Sequence, residues 1–339
     1  MQQSAGQPPA RPGRTGLLLV NLGSPDAPTV PAVRAYLNQF LSDRRVVEIP
    51  PIVWQPILKL AVLTTRPKRS AANYAKIWDR AADESPLKRI TRQQADALQG
   101  AFGSEVIVSY AMRYGSPAIA EALAQLKAEG CDRICVAPLY PQYCAATTGS
   151  VLDELFRVLA GQRDLPAIRT LPPYFDHPAY IGALKASVER QLAALDFVPE
   201  AILLSFHGMP ERTRDLGDPY DHQCRETARL LRAAFGASEA EMPIAFQSRF
   251  GRASWLQPYA QPLLEEMARS GTKRVAVLMP GFAADCIETL EEIAIEARDA
   301  FLAAGGSDFA ALTCLNASDD GMAMLRTLLD EALAGWTGR

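Results

Sequence analysis

The feature that most constrains the fold is a regular alternation of short aliphatic runs with helical patterns along the chain. The run at 16–25 enters a Gly/Pro loop, and the segment 30–41 places apolar residues on one side of a helix. Two further strand-like runs, 105–115 and 133–141, flank a helical pattern at 116–130 that starts with Pro and stops with Gly. Strands that alternate with helices in this way predict parallel sheets.

The second half of the chain repeats the rhythm with the strand-like runs "PEAILLSFHG", "PIAFQSRFG" and "RVAVLMPGF", followed by a long helix at 285–306. Two such series in 339 residues predict two doubly wound, Rossmann-like α/β domains with parallel sheets and a cleft between them. We predict a disordered leader at 1–15, an N-terminal domain at 16–172, a C-terminal domain at 173–315 and a C-terminal helix at 316–339. Ligands of open parallel sheets bind beyond the carboxyl ends of the strands, so we expect the site in the cleft.

Composition excludes several classes of function. The net charge is −3 and no basic stripe follows a helix, so nucleic acid is not an expected partner. No run reaches the roughly 18 apolar residues that span a bilayer and no signal peptide is visible, so we expect a cytoplasmic protein. The six cysteines include no C-x-x-C pair. Cys131 and Cys135 are typical of packing, with a structural metal as the alternative, and disulfides are not expected without export.

The segment 46–69 departs from the alternation, because it is apolar, interrupted by prolines and cationic at its end. Pro50, Pro51 and Pro56 argue against a buried helix. We interpret the segment as an exposed lip that fits a large apolar ligand or a membrane surface, with a helical hairpin packed on the core as the alternative. The lip residues are Ile52, Val53, Trp54, Ile57 and Leu58.

Four carboxylates in "DCIETLEEIAIE" are three, four and four residues apart: Asp285, Glu288, Glu292 and Glu296. Helical geometry puts them on one face, which is common for a solvated surface. This row, however, follows a strand and a loop directly, so its first members face the expected cleft. Close carboxylates push their pKa values apart, and a row of them can carry protons or divalent cations.

His207 is one of only three histidines and stands where the buried strand "LLSF" gives way to a loop. An imidazole near the head of the acidic row can bind a divalent metal or accept a proton near neutral pH. A core histidine satisfied by the backbone is the alternative.

The stretches "LLSFHGMPERTRDLGDPY", "FQSRFGRASWLQPY" and "PGFAADCIETLEEI" together closely resemble the ferrochelatases, lyases that insert ferrous iron into a porphyrin to make haem. The N-terminal half agrees through "LLLVNLGSPDAP", "ESPLKRITRQQADAL" and "LYPQYCAATTGSVLDEL", so the resemblance covers roughly residues 16–330, in the family's order. It implies a chelatase-type fold and metal insertion into a tetrapyrrole.

The resemblance also implies roles for single residues. His207 and Glu288 correspond to the catalytic and metal-handling pair, and Asp285, Glu292 and Glu296 to a proton or metal relay. The porphyrin-binding residues that it implies are Arg66, Arg69, Tyr74, Arg113, Tyr114, Ser248 and Trp255. These residue types suit metal insertion into a porphyrin. Arginines anchor the carboxylates of the ring, and a porphyrin that is bound in a bent shape exposes its nitrogens.

Three features bear on cofactor and substrate. Cys286 stands where many relatives carry histidine, which puts metal handling at that position in question. The C-terminus lacks the cysteine-rich tail that holds a [2Fe–2S] cluster in some relatives, so we expect no such cluster and no permanently bound cofactor. The apolar lip resembles that of relatives that act on protoporphyrin. We therefore predict protoporphyrin IX and Fe²⁺ as substrates, haem as product, and an enzyme peripheral to the inner face of the membrane.

Alternative functions remain open from the sequence. The chain could serve coproporphyrin III or another tetrapyrrole, although cobalt and nickel chelatases usually carry more histidines in the cleft. A non-catalytic haem or porphyrin carrier would need the cavity but not a histidine opposite a carboxylate row. Neither a P-loop nor a dinucleotide motif follows a strand, which argues against a nucleotide enzyme.

Overall fold

The computed structural model describes residues 13–236, 240–251 and 253–338. The predicted leader at 1–15 lies mostly outside the described residues. Its last two members, Arg14 and Thr15, already belong to the first strand, so that boundary was placed too late.

Two four-stranded parallel sheets form the framework of the described chain. The first has the order β2-β1-β3-β4, with β1 (Arg14–Gly23), β2 (Val106–Tyr114), β3 (Cys131–Pro138) and β4 (Ala167–Thr170). The second has the order β6-β5-β7-β8, with β5 (Ala201–His207), β6 (Ile244–Gln247), β7 (Arg274–Leu278) and β8 (Asp308–Ala311). In each sheet the first strand, β1 or β5, lies between the next two strands in sequence. The second and third strands of each sheet thus lie on opposite sides of the first strand. Such a reversal of strand order creates a crevice at the carboxyl end of the first strand.

Helices connect the strands and cover the sheets. The α-helices are α1 (Val30–Leu41), α2 (Pro51–Ile57), α3 (Leu63–Ile77), α4 (Pro86–Phe102), α5 (Ile119–Ala128), α6 (Ser150–Ala160), α7 (Pro178–Ala193), α8 (Glu211–Asp215), α9 (Tyr220–Phe235), α10 (Ala260–Arg269), α11 (Arg298–Ala303) and α12 (Asp319–Ala332). Three segments have π-helical hydrogen bonding: Leu58–Val62, Ala145–Gly149 and Glu288–Ala297. Across the described ranges, no helix has the length and apolar character needed to cross a membrane.

The strands are buried on both faces, as is usual for parallel sheets. Leu17 and Leu19 of β1 belong to one apolar cluster, whereas Leu18 and Val20 belong to another that includes residues of α5 and α6. The first of these clusters continues to Phe206 of β5. The two sheets thus share a core, which fixes the carboxyl ends of β1 and β5 relative to each other.

The segment 46–69 is largely helical, so the argument from its prolines against a helix was wrong. Pro51 lies in the first turn of α2, where its missing N–H costs no hydrogen bond. Pro56 lies within α2, and the hydrogen bonding changes to the π pattern two residues later, at Leu58. The backbone is thus helical without a break from Pro51 through the π segment into α3, so it is neither an irregular lip nor a hairpin of two helices.

The predicted lip residues divide between two faces of this helical segment. Ile52 is 86% exposed, and Val53 and Ile57 are also exposed. Trp54 and Leu58 are buried, which corrects their assignment to the lip. The Trp54 indole N–H donates to the Leu41 carbonyl at 2.6 Å, so this side chain anchors the segment to the end of α1.

Candidate active site

A cavity of about 750 Å³ opens at the carboxyl ends of the strands, between the loops that follow β1, β3, β5 and β7. This volume is typical of small-molecule sites. Most of the residues selected from the sequence meet here: Arg66, Arg69, Tyr74, His207, Ser248, Trp255, Glu288, Glu292 and Glu296.

His207 is the last residue of β5, and its backbone is held on both sides. The Tyr220 hydroxyl donates to the His207 carbonyl at 3.0 Å, and the Gly208 N–H donates to the Gln247 carbonyl at 2.7 Å. A Cβ at Gly208 would lie 2.6 Å from that carbonyl oxygen, so the approach requires glycine. The close contact between the strands β5 and β6 thus directs His207 toward the cavity that it lines.

The protonation of the His207 ring follows from its hydrogen bond. Nδ1 lies 2.6 Å from the Gly208 carbonyl oxygen, which can only accept. In the neutral ring Nδ1 therefore carries the proton and Nε2 keeps a free lone pair. That nitrogen can accept a proton or bind a cation.

The acidic row lies on a π-helix rather than the predicted α-helix. Residues Glu288–Ala297 form i→i+5 hydrogen bonds before the chain continues as α11. Because a π turn holds more residues than an α turn, positions four apart still lie near one side. Glu288, Glu292 and Glu296 accordingly all line the cavity. π-helical segments occur frequently at functional sites.

The end of β6 fixes the middle of this row. The Ser248 N–H donates to the Glu292 carboxylate at 2.6 Å, and the Gln247 amide donates to the Glu288 carbonyl at 2.9 Å. Burial raises the pKa of Glu292; hydrogen bonds from Ser248 and the charge of His207 oppose the rise, and Glu288 adds to it. Glu292 can therefore take up a proton closer to neutral pH than an ordinary glutamate. Gln247 was not recognised in the sequence, because its partners lie on a distant helix.

Glu288 lies among groups with weakly acidic protons. Burial, with a further contribution from Glu288, raises the pKa of Tyr74 well above its usual value. Burial likewise raises the pKa of the Cys286 thiol, which forms a hydrogen bond with Glu288. Tyr36 of α1 also lines the cavity, and its ring contacts Tyr74 edge-on at 6.5 Å. The only feature of the sequence that indicates a buried Tyr36 is its position three residues after Val33, on the apolar side of the predicted helix.

Two arginines of α3 lie at the cavity. The Arg66 guanidinium stacks on the Phe250 ring at 3.8 Å from its centre, and burial, with repulsion from Arg69, lowers the pKa of Arg66. Arg69 lies 3.6 Å from Glu296 and is largely exposed. Guanidinium groups bind carboxylates in a bidentate manner, so both suit an acidic ligand. Trp255 adds an aromatic wall.

Arg113 and Tyr114 do not reach the cavity, which corrects their assignment to porphyrin binding. The Arg113 guanidinium lies 2.6 Å from the Asp43 carboxylate, and the Tyr114 hydroxyl donates to the same carboxylate at 2.8 Å. Ser150 completes this largely buried network. The charge of Arg113 is thus balanced within the protein.

Asp285 lies apart from the rest of the row. It accepts hydrogen bonds from the Thr289 hydroxyl at 2.9 Å and from the Asn316 amide at 2.6 Å. It borders a second cavity of about 470 Å³ instead of the main one. The row that faces His207 therefore begins at Glu288, and Asp285 fixes the turn before the π-helix.

Glu291 lines the cavity but was not selected from the sequence. Its carboxylate is only 3% exposed and contacts Lys76 Nζ at 2.6 Å and Asn73 Nδ2 at 2.9 Å. No pattern in the sequence distinguishes it from its neighbour Glu292.

Within 13–236, 240–251 and 253–338, no three His, Cys, Asp or Glu side chains are grouped as a metal site. Cys131 and Cys135 are buried free thiols in two different apolar clusters, which favours packing as their role.

Comparison with known proteins decides the family. A ferrochelatase family model matches residues 14–333. The ferrochelatase of Nitrobacter hamburgensis is 51% identical over 325 residues, which cover 95% of this chain and 94% of that protein. The ferrochelatase of Aromatoleum aromaticum is 52% identical over 329 residues, with 96% and 89% covered. This chain belongs to the ferrochelatase family.

Solved structures with the same fold include a sirohydrochlorin chelatase, SirB, and an enzyme of sirohaem biosynthesis, CbiX. SirB from Bacillus subtilis with Fe³⁺ has a TM-score of 0.58 at 11% identity, covering 95% of this chain and 97% of that one. CbiX, described as the terminal enzyme of sirohaem biosynthesis in denitrifying bacteria, has a TM-score of 0.50 at 15% identity, with 95% and 100% covered. At these identities the likeness shows the fold alone. It confirms the predicted chelatase-type α/β fold, as the family match confirms the resemblance seen in the sequence.

Proposed function

We propose that His207 and Glu288 carry out the chemistry of metal insertion in the cavity between the two sheets. As a member of the ferrochelatase family, the protein is a metal chelatase of the lyase class that inserts Fe²⁺ into protoporphyrin and forms protohaem. The observation that carries the assignment of residues is that His207 Nε2 is free to accept a proton while a carboxylate row lines the same cavity.

The reaction exchanges two pyrrole protons for one iron ion. A planar porphyrin shields its nitrogens, and binding it in a bent shape exposes their lone pairs. Trp255 and the apolar wall can supply this grip. The free Nε2 of His207 takes one pyrrole proton and the Glu288 carboxylate takes the other. Before it is protonated, Nε2 is, like the carboxylates of the row, a suitable transient ligand for Fe²⁺. Glu292, whose pKa is raised by burial, and Glu296 then lead protons or iron along the row.

The proposed porphyrin is protoporphyrin IX, whose two propionates can pair with Arg66 and Arg69 of α3; a third arginine at the cavity, Arg249, stacks on the Tyr259 ring. Coproporphyrin III carries four carboxylates and would need more cations. The exposed apolar side chains of Ile52, Val53 and Leu60 fit a product and substrate that partition into lipid.

We further propose a cytoplasmic enzyme that touches the inner face of the membrane through this apolar surface. Iron enters as substrate and leaves within haem, and no resident cofactor or [2Fe–2S] cluster takes part. With a net charge of −3, the chain has no proposed nucleic-acid partner.

The direct test mixes the purified protein anaerobically with Fe²⁺ or Zn²⁺ and either protoporphyrin IX or coproporphyrin III, and follows the porphyrin absorption bands. We expect turnover with protoporphyrin IX and a lower kcat/KM with coproporphyrin III. The reverse preference would overturn the proposed substrate. Stoichiometric porphyrin binding without metalation would instead identify a carrier.

A further inference from the structure

The shortest polar contact described between the acidic π-helix and helix α3 is an ion pair that has no role in the mechanism proposed above. Lys76 Nζ lies 2.6 Å from the Glu291 carboxylate, and the Asn73 amide donates to the same group at 2.9 Å. The Glu291 side chain is 3% exposed, whereas that of Lys76 is 43% exposed. A carboxylate removed from water in this way depends on its partners, because an unpaired buried charge is very unfavourable.

Helix α3 presents these partners on one side. Arg69, Asn73 and Lys76 are four and three residues apart, a spacing that aligns side chains on a helix. Arg69 reaches Glu296, but at 3.6 Å and with an 81% exposed side chain, so this second pair contributes little. Of these two ion pairs, the one made by Lys76 is therefore the main ionic contact between α3 and the π-helix.

Glu291 lies between Glu288 and Glu292 in the π-helix, so its position fixes the rotation of both neighbours. We propose that the Lys76–Glu291 pair is a positioning pair for metal insertion, which holds the π-helix with Glu288 and Glu292 turned toward His207. The proposal rests on the role assigned above to the acidic row. π-helical segments are rare, which indicates that contacts from outside the segment stabilise this one. The Lys76–Glu291 ion pair with α3 is such a contact. Because α3 also carries Arg66, the same tie fixes the row relative to the arginine that meets the porphyrin.

The test compares Lys76→Met, Lys76→Arg and the double variant K76M/E291Q with the wild-type protein. A displacement of catalytic groups by about 1 Å lowers rates by up to roughly 100-fold, so we expect Lys76→Met to lower kcat by about 10- to 100-fold. The porphyrin KM and Kd should change less than about twofold, because the arginines and Trp255 remain in place. Arginine at position 76 retains the charge and the reach, and should restore most of kcat.

The double variant separates positioning from folding. It removes the pair without leaving a buried charge, so it should fold even if Lys76→Met does not. We expect its kcat to remain low at an unchanged porphyrin KM. Lys185→Met, which removes an exposed partner of Glu189 on α7, is the control for loss of a lysine and should behave as wild type.

Two outcomes distinguish this inference from the proposed function. Wild-type kcat per folded molecule in both Lys76→Met and K76M/E291Q, with only a lower thermal midpoint, would overturn the positioning role and leave the acidic row intact. Wild-type kcat in Glu292→Gln would remove the row itself from the mechanism, and the pair would then have nothing to position.

Discussion

Glu292 accepts a hydrogen bond from the Ser248 N–H at 2.6 Å, which joins the centre of the acidic row to the loop after β6. Ser248 has a φ of +64°, a conformation that a non-glycine residue adopts only when its surroundings hold it there. The preceding residue, Gln247, is the β-sheet neighbour of His207. One short stretch thus positions the imidazole and the carboxylates against each other.

Glu292→Gln should change the pH dependence of stability. Burial raises the pKa of Glu292 in the folded protein, so the wild type loses stability as the pH rises from the usual carboxyl pKa through the raised value. The variant lacks this loss, so its thermal midpoint should rise relative to that of the wild type as the pH increases above the usual carboxyl pKa. The groups that face Glu292 are His207, Glu288, Ser248 and Gln247, and none of them is substituted in this variant.

Glu265→Gln is the matched control for that measurement. Hydrogen bonds from Gln261 and Arg269 lower the pKa of Glu265, a partly exposed residue of α10, so it is ionised throughout the pH range above the usual carboxyl pKa. The difference in thermal midpoint between Glu265→Gln and the wild type should therefore not depend on pH in this range. A flat difference for Glu292→Gln as well would contradict the raised pKa.

Glu288→Gln should lower the metalation rate much more than the porphyrin affinity. General acid–base or relay groups typically raise the rate by about 10²- to 10⁴-fold, so kcat for metalation should decrease by a factor in that range. Porphyrin affinity, measured by fluorescence quenching without metal, should stay within about threefold, because Arg66, Arg69 and Trp255 are untouched. A variant that bound porphyrin weakly but kept its kcat would assign Glu288 to binding instead.

Arg113→Leu should destabilise the protein without weakening porphyrin binding. Burial favours protonation of Asp43, but hydrogen bonds from Ser150, Arg45 and Tyr114, together with the charge of Arg113, outweigh it and lower the pKa of Asp43. Removing one partner of such a buried pair costs about 3–5 kcal/mol. Denaturant unfolding measures the loss at neutral pH, and it should shrink as the pH falls through the lowered pKa of Asp43.

Arg66→Leu is the opposite case and serves as the comparison. This arginine stacks on Phe250 at the cavity, so its loss should weaken porphyrin binding with little effect on unfolding. If Arg113→Leu weakened porphyrin binding as strongly as Arg66→Leu, Arg113 would belong to the porphyrin site after all.

The exposed lip should govern attachment to lipid. Ile52 of the lip and Leu60, in the π segment that follows α2, are 86% and 78% exposed. Each would gain about 1.5–3 kcal/mol on burial. The variant I52Q/L60Q should therefore bind anionic liposomes at least about tenfold more weakly in a flotation assay. Its kcat on detergent-dispersed porphyrin should not change.

Val198→Gln alters an equally exposed apolar residue, 75% exposed, outside the lip. It should leave liposome binding unaltered. Equal loss in both variants, or none in either, would return the lip to a purely structural role.

The fold and the centre of the site could be predicted because they follow from local patterns. The strand that ends at His207 and the spacing of Glu288, Glu292 and Glu296 are visible in short stretches, and parallel sheets collect strand ends at one edge. A π-helix was not predicted, because spacings of four fit both helix types. The three prolines were given too much weight, since Pro51 in a first turn is favourable.

The remaining residues depend on partners far away in the chain. Arg113 meets Asp43 across 70 positions, and Lys76 meets Glu291 across 215. Periodicity carries no information about such pairs. Side chains of one type, such as Arg66 and Arg113, therefore look alike in the sequence although one lines the cavity and the other is paired in the interior.

The most direct test of the account is single-turnover metalation of protoporphyrin IX by His207→Ala under anaerobic conditions, with Fe²⁺ in excess. His222→Ala, an exposed histidine of α9, is the control. We expect His207→Ala to bind porphyrin normally and to metalate it about 10²- to 10⁴-fold more slowly, whereas His222→Ala matches the wild type. A wild-type metalation rate in His207→Ala would contradict the account.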